Sequence, residues 1–164
     1  KGEPMSIKTT LTLAAAATAI SLSGAVLAGS HGGDDDYADT DRALVILTSD
    51  SLQTQGMAMI LSNAMQQQGT QLNILLCDAA GDLALDGYES AEAINTPPSN
   101  PAGQIKPEGI MGMLMGNGAS VDVCAIYLPN NEHEEGDLRE GVGVAAPGPM
   151  AEMMRDPKIP VFSF

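Results

Sequence analysis

The stretch Ala43-Leu44-Val45-Ile46-Leu47-Thr48-Ser49-Asp50-Ser51 decides the fold class. Its apolar run shows no polar alternation, which reads as a strand buried on both faces, and the Ser-Asp-Ser that follows reads as a loop and helix N-cap. From Leu52 to Gln68 the period changes. Met57, Leu61 and Met65 recur every fourth residue, Ile60 and Ala64 lie beside them, and Gly69 stands where a C-cap glycine belongs. The spacing predicts a helix that lays the Met57–Met65 stripe on a sheet. A buried strand followed by such a helix opens a βαβ unit.

The same alternation continues downstream. Leu72 to Cys77 is a second strand, and Asp78 to Asp82 is a turn at its C-terminal end. The segment from Asp86 to Lys106, with Pro97, Pro98, Pro101 and Gly103, is a long excursion carrying a short helix at Ser90 to Ile94. Excursions of that length in a compact domain are often functional. Pro107 opens a helix that runs to Gly116 and ends at Asn117-Gly118. Val121 to Leu128 is a third strand closed by Pro129, followed by an acidic loop, Asn130 to Asp137. Val142 to Val144 is a fourth strand, Pro149 to Arg155 a short helix, and Ile159 to Phe164 a last strand that Pro160 confines to an edge or a late start. Parallel strands need crossover helices, so the expected assembly is a three-layer α/β/α sandwich with a mainly parallel five-stranded sheet. Function in such sheets gathers beyond the strand C-termini, which places the loops after Thr48, Cys77 and Tyr127 on one rim.

Composition bounds the rest. A chain of 164 residues with 44% hydrophobic residues supports one domain with one core. With 3% aromatics and no Trp, that core must be filled by Leu, Ile, Val, Ala and Met. Lys8 after Met5, the uncharged Ala-rich run Leu11 to Ala28 and its ending Ala25-Val26-Leu27-Ala28 read as a secretory signal cleaved after Ala28. The domain plan is therefore an N-terminal extension and signal peptide over 1–28, an acidic flexible linker over 29–41, and an α/β domain over 42–164. The expected location is periplasmic or otherwise exported. His31 with Asp34, Asp35 and Asp36 in the linker is a weak cation site at best, because a tail has no preorganised geometry. Without residues 1–28 the chain keeps 5 basic and 20 acidic residues, a net charge of −15. That charge repels nucleic acid and anionic lipid, so neither nucleic acid nor, after signal cleavage, a membrane is an expected partner.

Several of these segments together resemble the DsrE/DsrF-like family. The shared features are ALVILTS with its Met-rich helix, GASVDVC from Gly118 to Cys124, LREGVGV from Leu138 to Val144, a helix around Met150 to Met154, and the terminal VFSF. The resemblance covers Ala43 to Phe164. It implies a five-stranded DsrE-like α/β/α fold, assembly as homo- or hetero-oligomers, and kinship with members that pass sulfur as a cysteine persulfide. In those members the working cysteine matches Cys124. Relay members turn soon after that cysteine into a short helix, whereas here the chain continues AIYLPNNEHEEGDLREGV, which is longer and acidic.

The candidate chemistry is sulfur chemistry. Cys124 is the sulfur-carrying candidate and Cys77 a possible second thiol; the protein would be at most a sulfurtransferase-like carrier, with a sulfur donor or acceptor protein as partner. Sulfur transfer needs an exposed thiolate, so Cys124 works if it reaches the rim and is an inert small hydrophobe if it lies mid-strand. Arg139 or His133 can supply positive potential, opposed by Glu132, Glu134, Glu135 and Asp137. If the second and third strands are neighbours, Cys77 and Cys124 approach each other, although cysteines on adjacent parallel strands rarely meet bridge geometry, which weighs against a stable disulfide. No cofactor is expected on this reading. The alternative is copper: thiolate and thioether ligands suit Cu(I), and Cys77, Cys124, His133, Met111 and Met115 are the candidate set. Against it, Met111 and Met115 share a helix face while Met113 points away, and Met as core or interface filler is the expected role. A third alternative is a non-catalytic oligomeric interaction subunit with buried cysteines.

Overall fold

The computed structural model describes residues 41–99 and 103–164. The expected signal segment, its cleavage point and the linker as far as residue 40, with its His31 and Asp34 to Asp36, lie outside the described residues. In chain order the elements are β1 (Arg42–Leu47), α1 (Leu52–Gln67), β2 (Gln71–Leu76), β3 (Ile94–Asn95), β4 (Gln104–Ile105), α2 (Pro107–Gly116), β5 (Ser120–Cys124), α3 (Tyr127–Asn130), β6 (Val142–Ala145), α4 (Pro147–Arg155) and β7 (Val161–Ser163). Short 3-10 segments occupy Asp78–Ala84 and Glu135–Asp137.

Five strands form one parallel sheet in the order β6-β5-β2-β1-β7. The central β2 runs beside β1 from Arg42↔Gln71 to Leu47↔Leu76 and beside β5 from Asn73↔Ser120 to Leu76↔Val123. The last strand is an edge that starts at Val161, directly after Pro160, because proline has no N–H to give to a ladder. The chain steps outward through β1, β2, β5 and β6, then crosses the sheet through α4 to reach β7. Right-handed crossovers put helices of opposite travel on opposite faces.

The two faces are unequally covered. Val45, Leu47, Ile74, Leu76, Val121 and Val123 pack with Ala58 and Met59 of α1, Met111 and Leu114 of α2, and Leu83 in one core. On the other face Leu44 and Leu75 are buried with Met150 and Ile159 in a small cluster, and Ile46, Cys77, Cys124, Ala145 and Met153 pack half-buried against it. At about 1.5–3 kcal/mol per fully buried large aliphatic side chain, most of the stability resides on the first face.

Ser51 caps α1 by accepting from the Thr54 N–H at 3.4 Å, and Gly69 (φ 99°) follows its end, as the spacing predicts. The buried stripe differs from the prediction. Gln55, Gly56, Ala58, Met59 and Ser62 face inward, whereas Met57 and Leu61 are 51% and 43% exposed. Small residues let the helix approach its neighbours closely; Ile94 lies where a side chain at Gly56 would be. Gln55 tolerates burial because its amide donates to Ser49 O at 2.9 Å.

The excursion before α2 holds a β3–β4 hairpin rather than the expected helix at Ser90 to Ile94. Ser90 is committed elsewhere: its N–H and hydroxyl donate to the Glu108 carboxylate at 2.9 and 2.7 Å. Partial burial pushes the Glu108 carboxyl up, but those bonds, its own backbone N–H and Lys106 outweigh it and leave it below its ordinary value. A depressed folded-state pKa contributes stability above the unfolded-state value, and that contribution is lost as pH falls through the folded one. Ser90→Ala is thus expected to lower the melting temperature at pH 7 and to cost progressively less as pH drops below 4.5, the ordinary value. Melting curves of both proteins across pH check this, and an equal penalty at every pH would contradict it.

Candidate functional site

Cys77 directly follows β2, and Cys124 is the last residue of β5. The ladder between these strands ends at Leu76↔Val123, so one further step sets the two cysteines side by side. Their Cα atoms are 5.1 Å apart and their sulfurs form a disulfide. The expectation against a bridge is thereby corrected. Neither cysteine belongs to the β2–β5 ladder, and their separation falls in the bridging range. The third strand also stops at Cys124 instead of running to Leu128, which removes the mid-strand reading. Both cysteines are half-buried at the C-terminal rim, on the sheet face that α4 covers.

The chain turns after Cys124 into α3, so the apolar run Ala125 to Leu128 splits. Ile126 is 74% exposed beside the bridge, while Tyr127 and Leu128 are buried. The Tyr127 hydroxyl donates to Asp82 Oδ1 at 2.5 Å, and its ring lies against Gly81, where any added side chain would collide. Burial first, then the bond to Asp82 and its charge, push the Tyr127 hydroxyl well above the usual tyrosine range. His133 stacks on the same ring with centroids 6.1 Å apart, and its Nδ1 is 3.7 Å from Asp137 Oδ2.

Arg139 is not turned to the thiols as a source of positive potential. Its Nε donates to Leu83 O at 3.0 Å, its Nη2 donates to Tyr88 O, and its backbone N–H donates to Ala84 O at 2.9 Å. It fastens the segment after Cys77 to the start of the long excursion. Glu132, Glu134, Glu135 and Asp137 are exposed, so the acidic loop faces solvent.

The candidate copper ligands are dispersed. Met111 is fully buried in the α1–α2 core and Met115 packs on the same cluster, whereas Cys77 packs on the opposite face of the sheet. His133 is held between Tyr127 and Asp137. Among the described residues no group of three or more His, Cys, Asp and Glu side chains is placed to hold a metal.

Two solved structures share this architecture. The YchN protein from E. coli superposes with a TM-score of 0.56 at 16% identity, over 75% of this chain and 99% of that one. The protein of unknown function MTH1491 from Methanobacterium thermoautotrophicum superposes with a TM-score of 0.52 at 14% identity, over 75% of this chain and 98% of that one. Both have DsrE/DsrF-like folds. The fold is DsrE-like. No family model matches the sequence, and no curated protein matches it. The all-parallel DsrE-like sheet explains the rim: every strand ends on the same side, so Cys77, Cys124 and the loop after β1 emerge together.

Two features have no counterpart in the sequence reading. The Asp82–Tyr127 contact joins a residue read as turn to one read as strand. A groove of about 400 Å³ lies between α1 and the β3–β4 hairpin, walled by Leu52, Met57, Ile60, Ile94 and Pro97, with Gln53, Glu92 and Asn95 at its polar positions. The hairpin's two-residue strands are too short to display an alternation.

Proposed function

We propose that this DsrE-like protein is an exported sulfur carrier in which Cys124 takes up sulfane sulfur and Cys77 is its resolving partner. The observation that carries the reading is the juxtaposition of the two cysteines, half-buried and bridged, at the rim beyond the strand C-termini. Once the bridge is reduced, the Cys124 thiolate attacks the outer sulfur of a donor persulfide. The new bond joins Cys124 Sγ to that sulfur, the donor S–S bond breaks, and its electron pair leaves on the donor thiolate. A thiolate on an acceptor removes the outer sulfur by the same reaction. With no acceptor, the Cys77 thiolate attacks Cys124 Sγ, forms the bridge and expels hydrosulfide. The sulfane sulfur is then reduced and the two thiols oxidised, and a dithiol reductant resets the pair. The exposed apolar stripe Met57–Leu61 on α1 supports assembly as a homo-oligomer.

The test is intact mass after reduction, desalting and incubation with inorganic polysulfide. The reduced wild type is expected to gain one sulfur, about 32 Da, transiently and then to return to the bridged mass, and Cys124→Ser is expected to gain none. An adduct that survives Cys124→Ser, or a pair that stays reduced by alkylation and gains neither the sulfur nor the bridge, would overturn the proposal.

A further inference from the structure

The bridge is held from two sides. Toward the strand N-termini the β2–β5 ladder joins the cysteine-bearing segments as far as Leu76↔Val123. Beyond that pair each cysteine is tied outward, away from the other: the Cys77 N–H donates to Leu47 O at 2.9 Å, and Cys124 registers with Ala145 of β6. Past the cysteines, the contact nearest to the sulfurs in sequence that rejoins the two segments is Tyr127 on Asp82 and Gly81; Arg139 on Leu83 O and Ala84 O, the Asp86 N–H on Asp137 O and the Leu85↔Leu138 bridge rejoin them farther out. Tyr127 lies three residues after Cys124, Asp82 five residues after Cys77, and the tyrosine is 3% exposed.

We propose that Tyr127, Asp82 and Gly81 form a latch that keeps the two thiols of the reduced pair adjacent and so sets the reduction potential of the Cys77–Cys124 couple. When the sulfurs part, the ladder restrains only one side of the gap. On the other side the restraint closest to the thiols is the half-buried hydroxyl–carboxylate bond and the ring seated on Gly81, which keeps the effective concentration of one thiol at the other high. A high effective concentration favours the bridge and makes the potential more negative. These are positioning residues: they act on the cysteines through the backbone and touch no substrate. The proposal rests on Cys77 and Cys124 working as a couple, but the potential is measurable whether or not sulfur is carried, so the two ideas fail separately.

The experiment equilibrates the protein across dithiothreitol redox buffers and scores the bridge by alkylation mass, alongside the melting temperature of each oxidised protein. Tyr127→Phe keeps the ring and removes the bond; it is expected to weaken the bridge about tenfold, a shift of about 30 mV to less negative potential. Asp82→Ala is expected to shift the potential the same way, and Asp82→Asn, which keeps an acceptor for the hydroxyl, to shift it less. Gly81→Ala, which displaces the ring and leaves every charge in place, is a second route to the same loss if Tyr127→Phe folds poorly. Unchanged potentials with lowered melting temperatures would reduce the contact to a structural one and overturn the proposal. A shift in Asp82→Ala without one in Tyr127→Phe or Gly81→Ala would also overturn it, because carboxylate charge and not the latch would then be responsible.

Discussion

Reduction of the Cys77–Cys124 bridge is expected to lower the unfolding free energy by about 4 kcal/mol. The cysteines are 47 residues apart in sequence. Closing a loop of that size removes, on the chain-entropy account, about 4 kcal/mol of conformational freedom from the unfolded chain. The folded sheet loses little, because β2 and β5 stay paired through Leu76↔Val123 when the sulfurs separate. For a domain of this size the loss corresponds to a drop of about 10 °C or more in melting temperature. Calorimetry with and without reductant, with thiol release verified by alkylation, measures it. An unmoved melting temperature with both thiols released would contradict the expectation. The consequence for function is direct: a carrier that cycles through its dithiol state works from the less stable of its two forms.

Arg139→Met is expected to cost about 3–4 kcal/mol, roughly two hydrogen bonds from a charged donor to carbonyls. Methionine retains the packing of the stem, so what is lost is the fork onto Leu83 O and Tyr88 O. Leu83 is fully buried, and its carbonyl is left without that donor. Arg139→Lys keeps the charge but not the planar fork and is expected to recover less than half of the loss. Denaturant midpoints at unchanged slope decide it. A difference below about 0.5 kcal/mol would show the fork to be worth no more than an exposed ion pair.

What could be read in advance follows from which signals are local. Two-sided burial of Ala43 to Leu47, proline at the start of α2 and the Asn117-Gly118 stop each depend on neighbours in sequence, and the elements they mark lie within a residue of expectation. The sheet and its late-starting edge strand follow from counting strands and placing Pro160. The run Val121 to Leu128 misleads because an apolar stretch does not say whether its chain is extended or coiled. Pro129 sits inside the first turn of α3, where proline is tolerated, so it does not mark the end of a strand. In α1 both the Met57–Leu61 stripe and the Ala58–Ser62 stripe repeat every four residues, and the tertiary need for small residues selects the second. At the site, Cys77 is legible as a position on the rim, whereas the place of Cys124 turns on where its strand ends, at Cys124 rather than Leu128. The pairing of the two depends on where the β2–β5 ladder stops, and the grip of Tyr127 on Asp82 joins segments 45 residues apart.

The mass experiment with polysulfide tests the central claim most directly when the Cys77→Ser protein is included. If Cys124 carries the sulfur and Cys77 resolves it, the reduced Cys77→Ser protein retains one added sulfur, about 32 Da, while the wild type passes through the same adduct and returns to the bridged form as hydrosulfide is released. If the wild type and Cys77→Ser keep the adduct equally long, Cys77 is no resolving thiol. If neither gains it, Cys124 is no carrier.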